Sequence, residues 1–397
     1  AQNLQQKGYD VLVLEAKDYI GGRVKSETVN GERYELGASW IHGDKNNPLA
    51  DILKKEGASL IPTEWSPIVY YKNGKRIEFA EDPLEGFYSH IEDIKEENGK
   101  DISLDEVWSA FAKKNKLTID EINDFRSLLA FDIETETGAD LKNISAREYE
   151  EEQEMKGGDK LVTGGYDLAI KYLAKNLNIK LNSAVNKIED DGDKAIVTTA
   201  AGEVFSASEV IVAVPLGVLQ KGSITFTPEL PSYKQKAIKS LQMGNLHKTF
   251  LSFEKKFWED ADVISIFKNN ETKWSSFINL EPVFKKPVLL VLHAGENAKS
   301  LEQKTEIEIG QEAYETLKTI YPNAMEPSTV VTSKWHADSF TLGSYSYVPV
   351  GASLTMYDDI GKPFGRIHFA GEHTTSEYPS TTHGAYLSGL RVANEIQ

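Results

Sequence analysis

The stretch from residue 369 to residue 396, FAGEHTTSEYPSTTHGAYLSGLRVANEI, constrains the fold more than any other part of the chain. A short apolar strand, Ile367 to Ala370, runs into it and places Gly371 and Glu372 at the strand's carboxyl end. After a polar loop a helix is expected to start near Thr381, with Gly384, Ala385, Ser388 and Gly389 on its early turns. A helix start offers free backbone N–H groups to something negative or electron-rich, and small side chains let that group come close. Alone the layout is a weak signal. It becomes specific when paired with the other end of the chain.

Residues 10 to 23 read DVLVLEAKDYIGGR. Val11 to Leu14 is a run of buried-strand type and ends in Glu15. In a dinucleotide-binding βαβ unit, an acidic residue at the end of the second strand accepts hydrogen bonds from ribose hydroxyls. Gly21 and Gly22 permit a tight turn, and Arg23 offers a planar fork of donors to a pyrophosphate. The opening AQNLQQKG reads as the last turns of a helix, with Leu4 as its apolar contact and Gly8 as its stop signal. The first strand and the GxGxxG phosphate loop are therefore expected upstream of Ala1, a missing length of roughly two to three dozen residues.

A chain of 397 residues can bury two cores, so two domains are expected. No run reaches the length of a membrane span and no signal peptide is visible. With an upstream segment expected, the compartment stays open, and the cytoplasm stands only as the default. The net charge of −17 argues against non-specific nucleic-acid binding and suits a cationic partner, although such a charge also serves solubility. Much of the acid lies in 91 to 155, and EYEEEQE at 148 to 154 reads as a solvated helix face. The absence of cysteine excludes disulfides and thiolate metal sites, and no metal-binding residues are expected.

Along the chain, 47 to 57 reads as an amphipathic helix, and Tyr70 to Phe79 as a hairpin with an Asn73-Gly74 turn. From 84 to 155 the apolar spacing is helical, with Ser103 and Thr118 as N-caps. A Gly-rich turn at 157 to 166 precedes a helix, and strands follow at 179 to 181, 184 to 188, 195 to 199, 203 to 206 and 210 to 214. Segments 247 to 253, 263 to 267, 274 to 279 and 288 to 293 read as a second sheet, followed by a helix at 303 to 319 and a strand at 329 to 335. Lys248 falls in one of these strands, and pattern alone reads it as an exposed or edge-strand lysine.

Seven blocks in order, LEAKDYIGGR (14 to 23), ELGASWIHG (35 to 43), KGGDKLVTGGY (156 to 166), VIVAVPLGVL (210 to 219), NLHKTFLSFEKKFW (245 to 258), GSYSYVPVG (343 to 351) and the carboxyl-terminal stretch, resemble the flavin-dependent amine oxidase family. They span nearly the whole chain. WIHG and the Asn47-Pro48-Leu49 that follows are most similar to polyamine oxidases, and the last block also resembles lysine-specific histone demethylases.

The resemblance implies an α/β fold in which a Rossmann-like FAD-binding domain, 1–66, 157–225 and 351–397, interleaves with an α+β substrate-binding domain, 67–156 and 226–350. It implies FAD held non-covalently, since no cysteine is present to form a thioether. Cofactor contacts are implied for Glu15 at the adenosine ribose, Lys17, Gly22 and Arg23 along the adenosine and pyrophosphate, and Ser39 and Trp40 at the isoalloxazine or ribityl chain. They are also implied for Val185 at adenine, Glu372 at the ribityl or pyrophosphate, and Thr381 and Thr382 at the flavin C2 carbonyl. Three residues are implied at the reacting centre. Lys248 would hold a water at flavin N5, Tyr345 would wall the flavin face, and His42 would face the substrate and favour a neutral nitrogen. Asp44, Glu134 and Glu136 are candidates for a distal ammonium.

The implied reaction is hydride transfer from the carbon beside an amine nitrogen to flavin N5. It gives an imine that hydrolyses, and dioxygen becomes hydrogen peroxide. The partners are thus a small cationic amine and dioxygen. Thr381 stands where monoamine oxidases carry a second wall tyrosine, which speaks against a small aromatic monoamine, and Tyr378 is offset from that wall. A primary-amine or amino-acid oxidase, or a flavin-binding protein without turnover, are the competing readings.

Overall fold

The structure, a computed structural model, describes residues 1–63, 65–79, 82–96, 99–268 and 271–396. Positions 97 and 98 of the expected helical stretch, and 397 at the end of the last expected segment, lie outside the described residues.

Two short parallel pairs bring distant parts of the chain together. Leu12–Leu14 runs parallel to Asn178–Lys180, and Val210–Val212 runs parallel to Ile367–Phe369. Such apolar triplets suit parallel strands covered on both faces. Ile367 and Phe369 are buried together with Val212, Leu216 and Ile360. The final helix, Thr382–Glu395, begins where the sequence places it. Thr381 is its N-cap, with Oγ1 accepting from the Gly384 amide at 2.9 Å. A Cβ on Gly384 would lie 1.8 Å from the Tyr378 carbonyl, so only glycine fits. The helix seats Val392, Ala393 and Ile396 against Leu4 and Ala370, which joins the two ends of the chain.

A larger mixed sheet has seven strands. In spatial order they are Thr329–Thr332, Leu246–Ser252, Val288–Ala294, Ser276–Asn279, Val263–Phe267, Ile68–Lys72 and Lys75–Ile77. The last two form the expected hairpin. Asn73 and Gly74 both take positive φ, as a two-residue type I′ turn requires. Alternation splits Leu246–Ser252 between two faces. Leu251 packs under the helix Glu306–Lys318 through Leu289, Val291, Ile309 and Leu317, whereas Leu246 and Lys248 point the other way, into the main cavity.

The helices Glu85–Glu96, Leu104–Lys114 and Ile119–Leu129 form a separate layer around Phe87, Leu104, Trp108 and Leu129. Full burial of such side chains contributes about 1.5–3 kcal/mol each. Ser103 and Thr118 are the expected caps, each in a reciprocal capping box with Glu106 and Glu121. The helical reading to 155 fails in two places. Ala130–Glu134 is a π-helical turn, and no helix covers 144 to 159. EYEEEQE is therefore a loop, not a helix face. Tyr149 is buried there, and the Gln153 amide donates to the Glu377 carbonyl at 3.0 Å, so tertiary contacts override helix propensity. No helix among the described residues is long and apolar enough to cross a membrane.

Candidate active site

The two ends of the chain meet in an ion pair between a buried Glu372 and a half-buried Arg23. Arg23 Nη1 donates to Glu372 Oε1 at 2.7 Å and to the Ser344 carbonyl at 3.0 Å. Glu372 also accepts from Ser346 Oγ at 2.5 Å and from the Ser380 amide at 3.1 Å. Burial alone would raise its carboxyl, but the Arg23 charge, His373 and the Ser346 hydroxyl outweigh it and hold the group below the usual range.

Beside this pair opens a cavity of about 2540 Å³. Ordinary small-molecule pockets are about 300–1,000 Å³, so this one holds a ligand of dinucleotide length with room to spare. Glu15, Lys17, Gly22, Arg23, Ser39, Trp40, His42, Val185, Lys248, Tyr345, Glu372, Thr381 and Thr382 all border it. The Glu15 carboxylate sits at the strand end and accepts from the Lys17 amide at 2.8 Å. The Lys17 ammonium pairs with Asp338 and donates to Tyr19 Oη at 3.0 Å. Gly21 and Gly22 both take positive φ, and a Cβ on Gly21 would meet the Val24 carbonyl at 2.7 Å.

Lys248 is not on an edge. Val288–Ala294 and Thr329–Thr332 flank its strand on both sides, and the residue is 4% exposed. Its Nζ donates to Ser39 Oγ, to the Gly37 carbonyl at 2.5 Å and to the Glu35 carbonyl at 3.4 Å, and lies 5.2 Å from the Trp40 ring centre. Burial pulls the ammonium down to about 7, against the pull of Glu35. The group is therefore poised to hold or release a proton near neutrality.

Around the cavity stands an aromatic wall. Trp40 packs on Trp65 at 5.7 Å between ring centres, and Trp65 meets Phe131 edge-on at 6.1 Å. The Tyr345 hydroxyl donates to the Thr135 carbonyl at 2.6 Å, which fixes its ring, and burial pushes its phenol far up. His42 presents its ring to the cavity with Nδ1 3.1 Å from Asp159 Oδ2. Burial opposes its charge, yet Asp159, Glu136 and Glu154 outweigh burial and raise it above its ordinary value.

The acidic lining of the cavity was only partly legible. Glu136 borders it, pushed up to about 7 by burial and by Glu150, with Tyr149 Oη donating to it at 3.0 Å. Asp44 and Glu134 do not border it. Asp44 faces Lys54 and Lys160, and Glu134 accepts from Arg126 at 3.3 Å and from the Leu141 amide at 3.1 Å. Asp132, Glu152 and Glu154 do border it and were missed, because one lies in the π-helical turn and two in the loop misread as helix.

The cavity suits a flavin dinucleotide on three counts. It has the length, a strand-end carboxylate at Glu15 and a capped helix N-terminus at Thr381–Thr382. In addition, Trp40 borders the cavity, and its Nε1 is buried without a protein partner.

The comparisons agree. The family described as flavin containing amine oxidoreductase matches residues 1–397. Polyamine oxidase 2 of Arabidopsis thaliana is 34% identical over 416 residues, covering 100% of this chain and 85% of that protein. Polyamine oxidase 3 of Oryza sativa subsp. japonica is 32% identical, with 100% and 86% covered. Lysine-specific histone demethylase 2 of Homo sapiens is also 32% identical, over 100% of this chain but 51% of its own length. With the match spanning the whole chain and the cavity built between its ends, the protein belongs to the flavin-containing amine oxidoreductase family and has FAD as its cofactor.

Proposed function

We propose that the protein oxidises a polyamine or a related cationic amine, giving an imine that hydrolyses to an aldehyde and an amine, with hydrogen peroxide as the second product. The observation that carries this reading is the polarity of one cavity. Lys248 and the Trp40 ring line it together with Asp132, Glu136, Glu152 and Glu154, and the aromatic wall of Trp65 and Phe131 borders it too. A molecule carrying several ammonium groups on an aliphatic chain complements that lining.

FAD, when bound, supplies the acceptor for the hydride leaving the carbon beside the amine nitrogen, and dioxygen takes the electrons on. Glu15 would hold the ribose hydroxyls. Lys17, Arg23 and Glu372 would wall the pyrophosphate and ribityl side, Val185 would meet adenine, and Ser39 and Trp40 would line the ring. The N–H groups at Thr381 and Thr382 would serve the ring carbonyl, where the positive end of the final helix favours negative charge.

Lys248 would hold a water at the reacting edge of the ring and give or take a proton through it. Tyr345 offers a π face to the substrate cation. His42, whose hold on a proton is strengthened by Asp159, faces the substrate nitrogen and would hydrogen-bond it in its neutral form. Glu136 and its acidic neighbours hold the distal ammonium.

The same reading divides the chain into an FAD-binding domain, 1–66, 157–225 and 351–397, and a substrate-binding domain, 67–156 and 226–350.

The test is anaerobic mixing of the FAD-loaded protein with spermine, spermidine, aromatic monoamines and amino acids. The expected result is bleaching of the flavin by polyamines and peroxide on admitting air. Bleaching by amino acids alone, or by nothing, contradicts the proposal.

A further inference from the structure

Lys248 is anchored from behind by one short turn. Its three acceptors, the Glu35 carbonyl, the Gly37 carbonyl and Ser39 Oγ, all belong to residues 35–39, directly after the strand Glu32–Glu35. On the far side of that turn lies a second cavity of about 150 Å³, bordered by Arg33, Glu35, Ser39, Leu161 and Phe250 among others. Among the described residues, Ser39 alone borders both cavities. The small cavity is large enough and polar enough to hold water.

The Glu35 side chain lies on this rear side. The residue is 8% exposed, and its Oε2 accepts from Ser26 Oγ at 2.6 Å. Arg33 Nε lies 3.9 Å from Glu35 Oε1, at the limit of an ion pair, while Arg33 Nη2 pairs with Asp167. Glu35 is thus a buried carboxylate with one distant cation, behind a buried lysine that forms no ion pair among the described residues.

We propose that Glu35 is a positioning residue for Lys248, one that sets whether the lysine carries its proton from the side that neither cofactor nor substrate covers. The electrostatics support the geometry. Burial drives the Lys248 proton off, and Glu35 is the charge that acts against it. Burial in turn raises the Glu35 carboxyl, while Ser26, the Tyr166 amide, Lys248 and Arg33 pull it down. Each group carries part of the other's bias. Glu35 borders the rear cavity, so that bias acts on Lys248 before any ligand arrives. This deepens the proposed function by assigning the control of its lysine, and it rests on that reading only for the consequence on rate.

The experiment is a pH titration of the Lys248 ε-carbon by NMR in protein labelled with ¹³C-lysine. The signal is identified by its loss in Lys248→Met. The titration is read in the protein as purified and again after loading with FAD. Glu35→Gln is expected to move the midpoint to lower pH in both states, and Glu35→Asp to restore it. The limb of the flavin-reduction pH profile that belongs to Lys248 should shift by the same interval. An unchanged midpoint in folded Glu35→Gln overturns the proposal, even if the variant melts earlier, because a merely structural carboxylate would do only that. Should Glu35→Gln fail to fold, Ser26→Ala strips the hydrogen bond that favours the carboxylate. It must lower the same midpoint, and no change there is equally fatal. A midpoint that moves in a protein inert to every amine sustains this proposal and refutes the oxidase reading.

Discussion

Two lysines of this protein are buried alike and used differently. Lys234, in the helix Ser232–Ser240, is 0% exposed, and burial pulls its ammonium down to about 7. Lys248 is 4% exposed and is pulled down to about 7 for the same reason. Lys234 donates to the carbonyls of Asp359 at 3.0 Å, Ile360 at 2.5 Å and Lys362 at 2.7 Å, and lies 4.1 Å from the centre of the Phe369 ring. It borders neither cavity and closes the carboxyl end of the helix Met356–Gly361. Lys248 makes as many contacts, but one acceptor is a hydroxyl, an anion lies behind it, and the main cavity lies in front. A displaced lysine is therefore no sign of chemistry by itself. Access to a ligand-sized space separates the catalytic candidate from the structural brace.

Lys248→Met should have the largest effect, slowing flavin reduction or reoxidation by about 100-fold with FAD still bound, as loss of one preorganised donor commonly does. Stopped-flow absorbance of the two half-reactions measures it.

Lys234→Met removes the donor to three carbonyls, that of Ile360 buried and those of Asp359 and Lys362 partly so, and should lower stability by about 3 kcal/mol, with rates kept. The pH dependence has a definite sign. The folded value of about 7 lies below the unfolded 10.5, so burying the charge costs stability in full below about 7. That cost lifts as pH rises toward 10.5, where the unfolded chain binds more protons. Denaturant melts of the native protein should show stability rising over that window, and Lys234→Met should flatten the rise. A flat native profile would break the pairing of the two lysines.

Glu136 extends the comparison to an acid that borders the cavity and is likewise displaced to about 7. It is protonated below that pH, so attraction for a distal ammonium is present above it and fades as pH falls. Glu136→Gln should raise KM for a polyamine about tenfold, about 1.4 kcal/mol, and remove that pH dependence. An unchanged KM profile would take it out of the site. The smallest effect is expected for Thr118→Ala, an exposed helix cap remote from both lysines. A thermal melt should read about 1 kcal/mol of lost stability, with amine turnover unaltered.

Local chemistry made much of this molecule legible. The N-caps at Ser103 and Thr118, the Asn73-Gly74 turn and the Thr381 start of the last helix each depend on residues a few positions apart, and each appears as read. The resemblance at the two ends likewise selected residues that share one cavity. What stayed hidden depends on distant partners. Lys248 looked like an edge residue because the strands that bury it lie about 40 and 80 residues further on. The acidic run at 148 to 154 has helical composition, but Tyr149 bonded to Glu136 and the Leu354 amide bonded to Glu148 hold it as a loop. Glu35, inside a recognisable block, gave no signal of the small cavity behind it.

The most direct test sets the two lysines side by side in one measurement. Lys248→Met and Lys234→Met, both loaded with FAD, are mixed anaerobically with spermine and then with oxygen, and flavin absorbance is followed. Slow bleaching or slow recovery in the first, with rates near native in the second, is the predicted result. Native rates in both half-reactions of Lys248→Met would contradict the account.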